Sequence, residues 1–116
     1  KNENYDLEKI SYTFNYQLNK FRDIVSNRER ILFYGATNGL NNLFYLTGED
    51  IDYEKYRITD SDETKWYKYI SSHPLPIIPI NHLEDYKTVC ISALSFYDQI
   101  AKSLLKDKIV ISTASI

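Results

Sequence analysis

Arg30-Ile31-Leu32-Phe33-Tyr34-Gly35-Ala36-Thr37-Asn38-Gly39-Leu40 decides the architecture. Its first half is a short, nearly continuous apolar run closed by Gly35. A run without polar alternation suits a strand buried on both faces, as in a parallel sheet. Its second half opens a helix. From Asn38 to about Thr47, Leu40, Leu43, Phe44 and Leu46 follow helical spacing, and Gly48 stands where such a helix is capped off. Strand, glycine turn and helix make the first unit of an alternating α/β chain.

Working outward, the same alternation continues on both sides. Upstream, Ile10, Phe14, Leu18, Phe21 and Val25 recur every three or four positions between polar residues, which predicts an amphipathic helix from Asp6 to about Asn27. Downstream, Lys55 to Thr59 reads as a second strand ended by Asp60, and Thr64 to Ser71 as a weaker helical stretch with Trp66, Tyr67 and Tyr69. Leu75 to Ile80 reads as a short third strand near an edge, because the prolines beside it remove hydrogen-bond donors. His82 to Tyr86 makes one helical turn, and Thr88 to Ala93 a fourth, buried strand. Phe96 to Lys106 forms a helix with Ile100, Leu104 and Leu105 inward, and Lys108 to Ser112 a fifth strand.

The expectation is an α/β fold: a single Rossmann-like three-layer domain with a five-stranded parallel sheet in the order 3-2-1-4-5, preceded by the amphipathic helix. A flavodoxin-like strand order is the competing arrangement, since sequence alone does not fix where the winding reverses. The whole chain, 1–116, is read as one domain, with the leading helix in 1–28 and the alternating core in 29–116. A start at Lys1 fits a domain excised from a larger protein.

Composition narrows the function classes. With 116 residues, 43% hydrophobic and 26% charged, the chain has room for one core. A net charge of −2 argues against a nucleic-acid partner, whose phosphates call for clustered Lys and Arg. No run approaches the roughly 18 apolar residues of a membrane span, and no secretory leader opens the sequence. The single cysteine, Cys90, excludes an internal disulfide, fits a reducing cytoplasm, and reads as a buried inert thiol. His73 and His82 are the only histidines, so a metal site would need carboxylates to complete it. His73 sits before Pro74 in an exposed-looking loop with no partner for a base role.

In open parallel sheets, ligands lie at the carboxyl ends of the strands. That rim comprises Gly35 to Asn38, Asp60 to Asp62 and Ala93 to Tyr97. Gly35 and Gly39 permit a tight turn, and the helix start that follows offers N–H groups to a phosphate. Ala36, Thr37 and Asn38 complete this loop, with Thr37 or Asn38 able to cap the helix. The match to G-x-G-x-x-G is partial, because Thr37 and Leu40 occupy the later glycine positions, so a plain connecting turn is the alternative. Asp60 ends the second strand where an acid can take a ribose hydroxyl pair; a solvated acidic turn with Asp62 and Glu63 is the other reading. Ser95 suits the N-cap of the fourth helix, with Asp98 three residues on, and Tyr97 is placed to stack on a base or sugar. Eleven tyrosines exceed what so small a core can hold, which leaves some for a partner surface.

Taken together, Gly35-Ala36-Thr37 with Asn41-Asn42-Leu43-Phe44, Asp60, Lys65, Leu75-Pro76-Ile77-Ile78-Pro79, and Ser92-Ala93 with Phe96-Tyr97-Asp98-Gln99-Ile100 resemble the C-terminal Rossmann-like domain of sugar C-methyltransferases. Gly39-Leu40, Ser95 and Ser71-Ser72-His73 depart from that family's pattern. The resemblance implies an accessory domain that helps hold a nucleotide-linked deoxysugar and packs against a catalytic domain. It implies no cofactor in this chain, with S-adenosylmethionine bound elsewhere in a parent enzyme.

The leading expectation is a nucleotide-sugar-binding accessory domain of carbohydrate biosynthesis, partnered by a neighbouring catalytic domain or a second copy. A small NAD(P)-binding domain, and an interaction module with a degenerate ligand loop, remain the alternatives.

Overall fold

The computed structural model describes residues 15–26, 30–47, 51–92 and 108–112. Four parallel strands form one sheet: β1 (Ile31–Tyr34), β2 (Tyr56–Thr59), β3 (Thr88–Ile91) and β4 (Ile109–Ser112), in the order β2-β1-β3-β4. The register sets Phe33 beside Ile58 on one side and Cys90 on the other. Two helices are described, α1 (residues 15–26) and α2 (Asn38–Thr47).

The third expected strand is corrected to a single bridge, Ile78 with Thr59 at the outer edge of β2. Ile78 N–H donates to the Ile58 carbonyl at 2.9 Å, and Thr59 Oγ1 donates to the Ile78 carbonyl at 2.7 Å. Pro76 and Pro79 stand on either side of that bridge and have no N–H to extend a ladder. The four strands alone follow the order 2-1-3-4 of the competing flavodoxin-like arrangement, and the Ile78 bridge stands at the outer edge of β2, where the expected order put a further strand. The expected helix at Thr64–Ser71 is also corrected. One 3-10 turn, Glu63–Lys65, is capped by Asp62; Trp66 is then extended and Tyr67 turns left-handed, which ends helical pairing. The helical turn expected at His82–Tyr86 is a longer 3-10 segment, Ile80–Asp85. The helix expected at Phe96–Lys106 lies outside the described residues.

Period-two alternation along β1 divides the core. Ile31 and Phe33 face α1 and α2, meeting Leu18, Phe21, Ile24, Val25, Leu40, Leu43 and Phe44. Leu32 and Tyr34 face the opposite way, with Val89 and Ile91, and are covered by Leu83, Tyr86, Ile78 and Ile80. A strand buried on both faces needs no polar alternation, which is why β1 reads as a plain apolar run. Cys90 is a fully buried thiol within the helix-facing core.

His73 is buried at 3% exposure, which corrects the exposed reading. Its ring meets Phe44 and Tyr53 edge-on, at centroid distances of 5.2 and 4.7 Å. Nε2 lies 2.6 Å from the Tyr56 carbonyl, and Nδ1 accepts from Leu75 N–H at 3.1 Å. This pair of contacts fits the neutral ring with its proton on Nε2. Burial pushes the pKa below the ordinary 6.5, outweighing the contact with the Tyr56 carbonyl. The unfolded chain therefore takes up the proton first. His73 contributes its full stability above about pH 6.5 and loses it as the pH falls through the lower folded value. Urea midpoints should drop between pH 7.5 and 5.5, and the slope should flatten in His73→Gln. An unchanged slope in that variant would assign the acid sensitivity to other groups.

Candidate functional site

The sheet order places β1 between β2 and β3, and the chain turns to opposite sides of β1 in reaching them. The loop leaving β1 thus opens at the point where the winding reverses, the usual ligand position in open α/β sheets. Gly35 adopts φ 117°, in the region that favours glycine. Its N–H donates to the Thr59 carbonyl at 2.9 Å, and Thr37 N–H donates to the Gly35 carbonyl at 3.0 Å. Ser92, at the end of β3, places Oγ 2.6 Å from the Gly35 carbonyl and 3.1 Å from that of Tyr34. The loop is therefore tied to both neighbouring strands.

Thr37 caps α2: its Oγ1 accepts from Leu40 N–H at 3.1 Å, and its carbonyl from Asn41 N–H at 3.0 Å. The N–H groups of Gly35, Ala36 and Thr37 are thus committed within the chain. Those of Asn38 and Gly39 meet no acceptor among the described residues, and both residues are exposed. They are the donors a ligand would find at this helix start, where the backbone dipole also favours an anion. Among the described residues, a Cβ placed on Gly39 would meet only Thr37 Oγ1, at 3.8 Å.

Asp60, 9% exposed, follows β2 and is turned onto the glycine loop. Its Oδ2 accepts from Ala36 N–H at 2.9 Å and lies 3.5 Å from Lys65 Nζ, while Oδ1 accepts from Asp62 N–H at 2.9 Å. The backbone of the same residue accepts from Trp66 Nε1 at 2.7 Å. This carboxylate joins two loops, a connection the spacing from Gly35 did not reveal. Lys65 Nζ also lies 3.5 Å from the Ala36 carbonyl, and its side chain remains 43% exposed. A cation therefore stands beside the glycine loop.

The rest of the rim is cross-linked in the same way. Asn41 Oδ1 accepts from Ser72 N–H at 2.9 Å and from Ser72 Oγ at 2.7 Å, with Ser71 Oγ at 3.2 Å. Burial raises the Tyr34 pKa, and the Asp60 charge adds to it against the opposing hydrogen bond with Ser61. The hydrogen bonds from Thr64 hold Asp62 below the usual carboxylate range.

Among the sequence-predicted residues, Gly35, Ala36, Thr37, Asn38, Gly39 and Asp60 share this rim. Ser95 and Tyr97 lie outside the described residues. Sequence reading missed the loop-anchoring hydroxyl of Ser92 and the rim position of Lys65; a hydroxyl closing an apolar strand was the available signal for the first. A separate cavity of about 510 Å³ lies at the amino end of β2, lined by residues that include Arg22, Asp52 and Lys55. Among the described residues no group of His, Cys, Asp and Glu could hold a metal, and no helix is long and apolar enough to cross a membrane. Comparison with protein-family models, curated proteins and solved structures finds no match.

Proposed function

We propose that this chain is a Rossmann-like accessory domain that holds a nucleotide sugar at the carboxyl end of its sheet for a neighbouring catalytic domain. The observation that carries this reading is the loop at the reversal of strand winding, which offers two donors, Asn38 and Gly39 N–H, and holds Lys65 Nζ 3.5 Å from its Ala36 carbonyl. Two N–H groups and a cation make a natural phosphate contact. The resemblance to the C-terminal domain of sugar C-methyltransferases supplies the substrate class. On this reading the domain works by positioning: it raises the effective concentration of the sugar, and the methyl donor and chemistry belong to the catalytic domain.

A thermal-shift screen against nucleotide sugars, nucleoside diphosphates, reduced nicotinamide cofactors and coenzyme A tests it. A ligand at 100 times its dissociation constant adds about 2.7 kcal/mol, a readily measured change in midpoint. Gly39→Leu then separates site from fold. The space around Gly39 among the described residues and its helical position predict stability unchanged or raised by about 0.5–1 kcal/mol. The new side chain stands in the ligand's path, so affinity for the phosphate-bearing ligand should fall at least about tenfold, or 1.4 kcal/mol. A folded Gly39→Leu variant with full affinity would refute this placement.

A second reading has its own support. Tyr45, Tyr67 and Tyr69 are 75%, 70% and 63% exposed, more aromatic surface than folding requires. An interaction module would use them against another domain or a second copy, and sedimentation equilibrium would show concentration-dependent mass.

A further inference from the structure

We propose that the amino edge of the sheet is a docking surface for a short acidic segment of a partner protein, independently of what the opposite rim binds. Each of the four strands is preceded by a basic residue: Lys55 before β2, Arg30 before β1, Lys87 before β3 and Lys108 before β4. The register aligns them, since Ile31 pairs with Tyr56, Leu32 with Val89 and Thr88 with Ile109. The ladder also reaches them. The Lys55 carbonyl accepts from Ile31 N–H and the Lys87 carbonyl from Ile109 N–H, each at 2.9 Å. Neighbouring strands lie about 4.8 Å apart, so the four basic residues form a row roughly 14 Å long.

Folding does not call for this row. Like charges set side by side across a sheet destabilise it, and the chain as a whole carries a net charge of −2. The ion pairs among the described residues are Lys65 with Asp60 and His82 with Asp85, so no carboxylate there is paired with any of the four. Two of them are nevertheless held in place. The Arg30 guanidinium lies 4.4 Å over the Tyr86 ring, and Lys108 Nζ donates to the Tyr86 carbonyl at 2.6 Å. Since β3 separates β1 from β4, Tyr86 gathers cations from two strands that are not neighbours. Neutral partners fix the two groups and leave their charge open, a preorganised arrangement that favours an incoming anion. Lys55 and Lys87 are exposed in the same row. The anion it fits is a short one. Exposed Asp52 and Glu54 come just before Lys55, and exposed Glu84 and Asp85 just before Tyr86, so a long polyanion or an anionic membrane meets repulsion near the row. In an extended segment, alternate side chains share one face about 6.7 Å apart, so three carboxylates match the row's length.

The test follows backbone amide shifts of the full chain during titration with a synthetic peptide of five Glu-Ser repeats. Oligothymidylate and vesicles of equal parts phosphatidylserine and phosphatidylcholine are titrated alongside. The peptide should bind at about 10 mM salt, where charges act over about 30 Å, and weaken at least fivefold at about 150 mM, where they act over about 8 Å. Its shifts should centre on Tyr86, Lys87 and Ile109. Lys87→Gln should weaken it about threefold, and Lys55→Gln with Lys87→Gln about tenfold. Both variants should melt at the wild-type temperature or above, because a like charge leaves the row. Lys68→Gln, the same charge change at an exposed lysine beyond the carboxyl end of β2, should leave the affinity unchanged. No binding by wild type at low salt overturns the proposal. Equal weakening in Lys68→Gln reduces the effect to net charge, and tighter binding of oligothymidylate or vesicles makes the row a nucleic-acid or membrane surface; each of these also overturns it. A lowered melting temperature with unchanged peptide affinity makes the row structural, with the same consequence. The thermal-shift screen reads the opposite rim, so failure of the nucleotide reading and failure of this one are distinguishable.

Discussion

Replacing Phe44 with alanine should destabilise the protein by about 3–5 kcal/mol, a large share of the roughly 5–15 kcal/mol that holds a domain of this kind together. Phe44 is fully buried, and its ring lies 5.1 Å from Phe21, 5.3 Å from Phe33, 5.9 Å from Tyr53 and 5.2 Å from His73. Those partners come from α1, β1, the turn before β2 and the segment before the Ile78 bridge. One ring therefore fastens α2 to four parts of the chain. Its removal leaves a cavity edged by aromatic rings that cannot all move inward at once, so the site should relax poorly. Leu46→Ala on the same helix, where the side chain is 42% exposed, is the comparison and should cost less than about 1 kcal/mol. Urea unfolding of the two variants checks both values. A Phe44→Ala cost below 1 kcal/mol would mean that α2 is not held through this ring.

Asp60→Ala should cost about 2–4 kcal/mol, more than its position at a strand end suggests. The carboxylate receives Ala36 N–H and Asp62 N–H and lies beside Lys65. Alanine leaves those backbone donors without their acceptor in a part-buried place, and hydrogen bonds to a charged group are the stronger kind. The Lys65 contact adds little, because that side chain is 43% exposed and water screens it. Glu84→Ala, at an exposed carboxylate, is the control and should stay near wild type. Equal midpoints for the two variants would show that the Asp60 contacts do not hold the loops. If Asp60 joins the loops as drawn, its alanine variant should also speed amide exchange at Ala36 and Asp62 beyond any global change.

The sequence carried the sheet's centre clearly and its margin poorly. β1, β3 and β4 were legible because each is a mostly apolar run bounded by polar or turn residues, β2 because Tyr56 and Ile58 alternate with polar residues ahead of Asp60, and α2 because Leu40, Leu43 and Phe44 share one face. The 60–80 segment was not legible by the same means. Tyr67 reads as a fair helix residue in isolation, yet two backbone hydrogen bonds with the 77 strand-like segment outweigh its helical preference. His73 was misread because neighbouring Pro74 marks a loop, and loops are usually solvated; only the tertiary fold brings Phe44 and Tyr53 against its ring. At the site, the positive-φ requirement at Gly35 followed from the residue itself. Which N–H groups stay available did not, because Thr59 and Asp60 become acceptors only once β2 lies beside β1.

The proline-flanked bridge at Ile78 bears on how this protein behaves in a crowd. A sheet margin with open N–H and C=O groups invites a strand from another molecule, the first step of edge-to-edge aggregation. Here the outer side of β2 is already met by Ile78, Arg57 Nη2 reaches the Pro76 carbonyl at 3.1 Å, and the prolines offer no further donors. Such a margin is a poor template for a growing ladder. The residues that shorten the sheet also blunt this edge of it, at the strand end where a neighbouring molecule's chain would otherwise begin to pair.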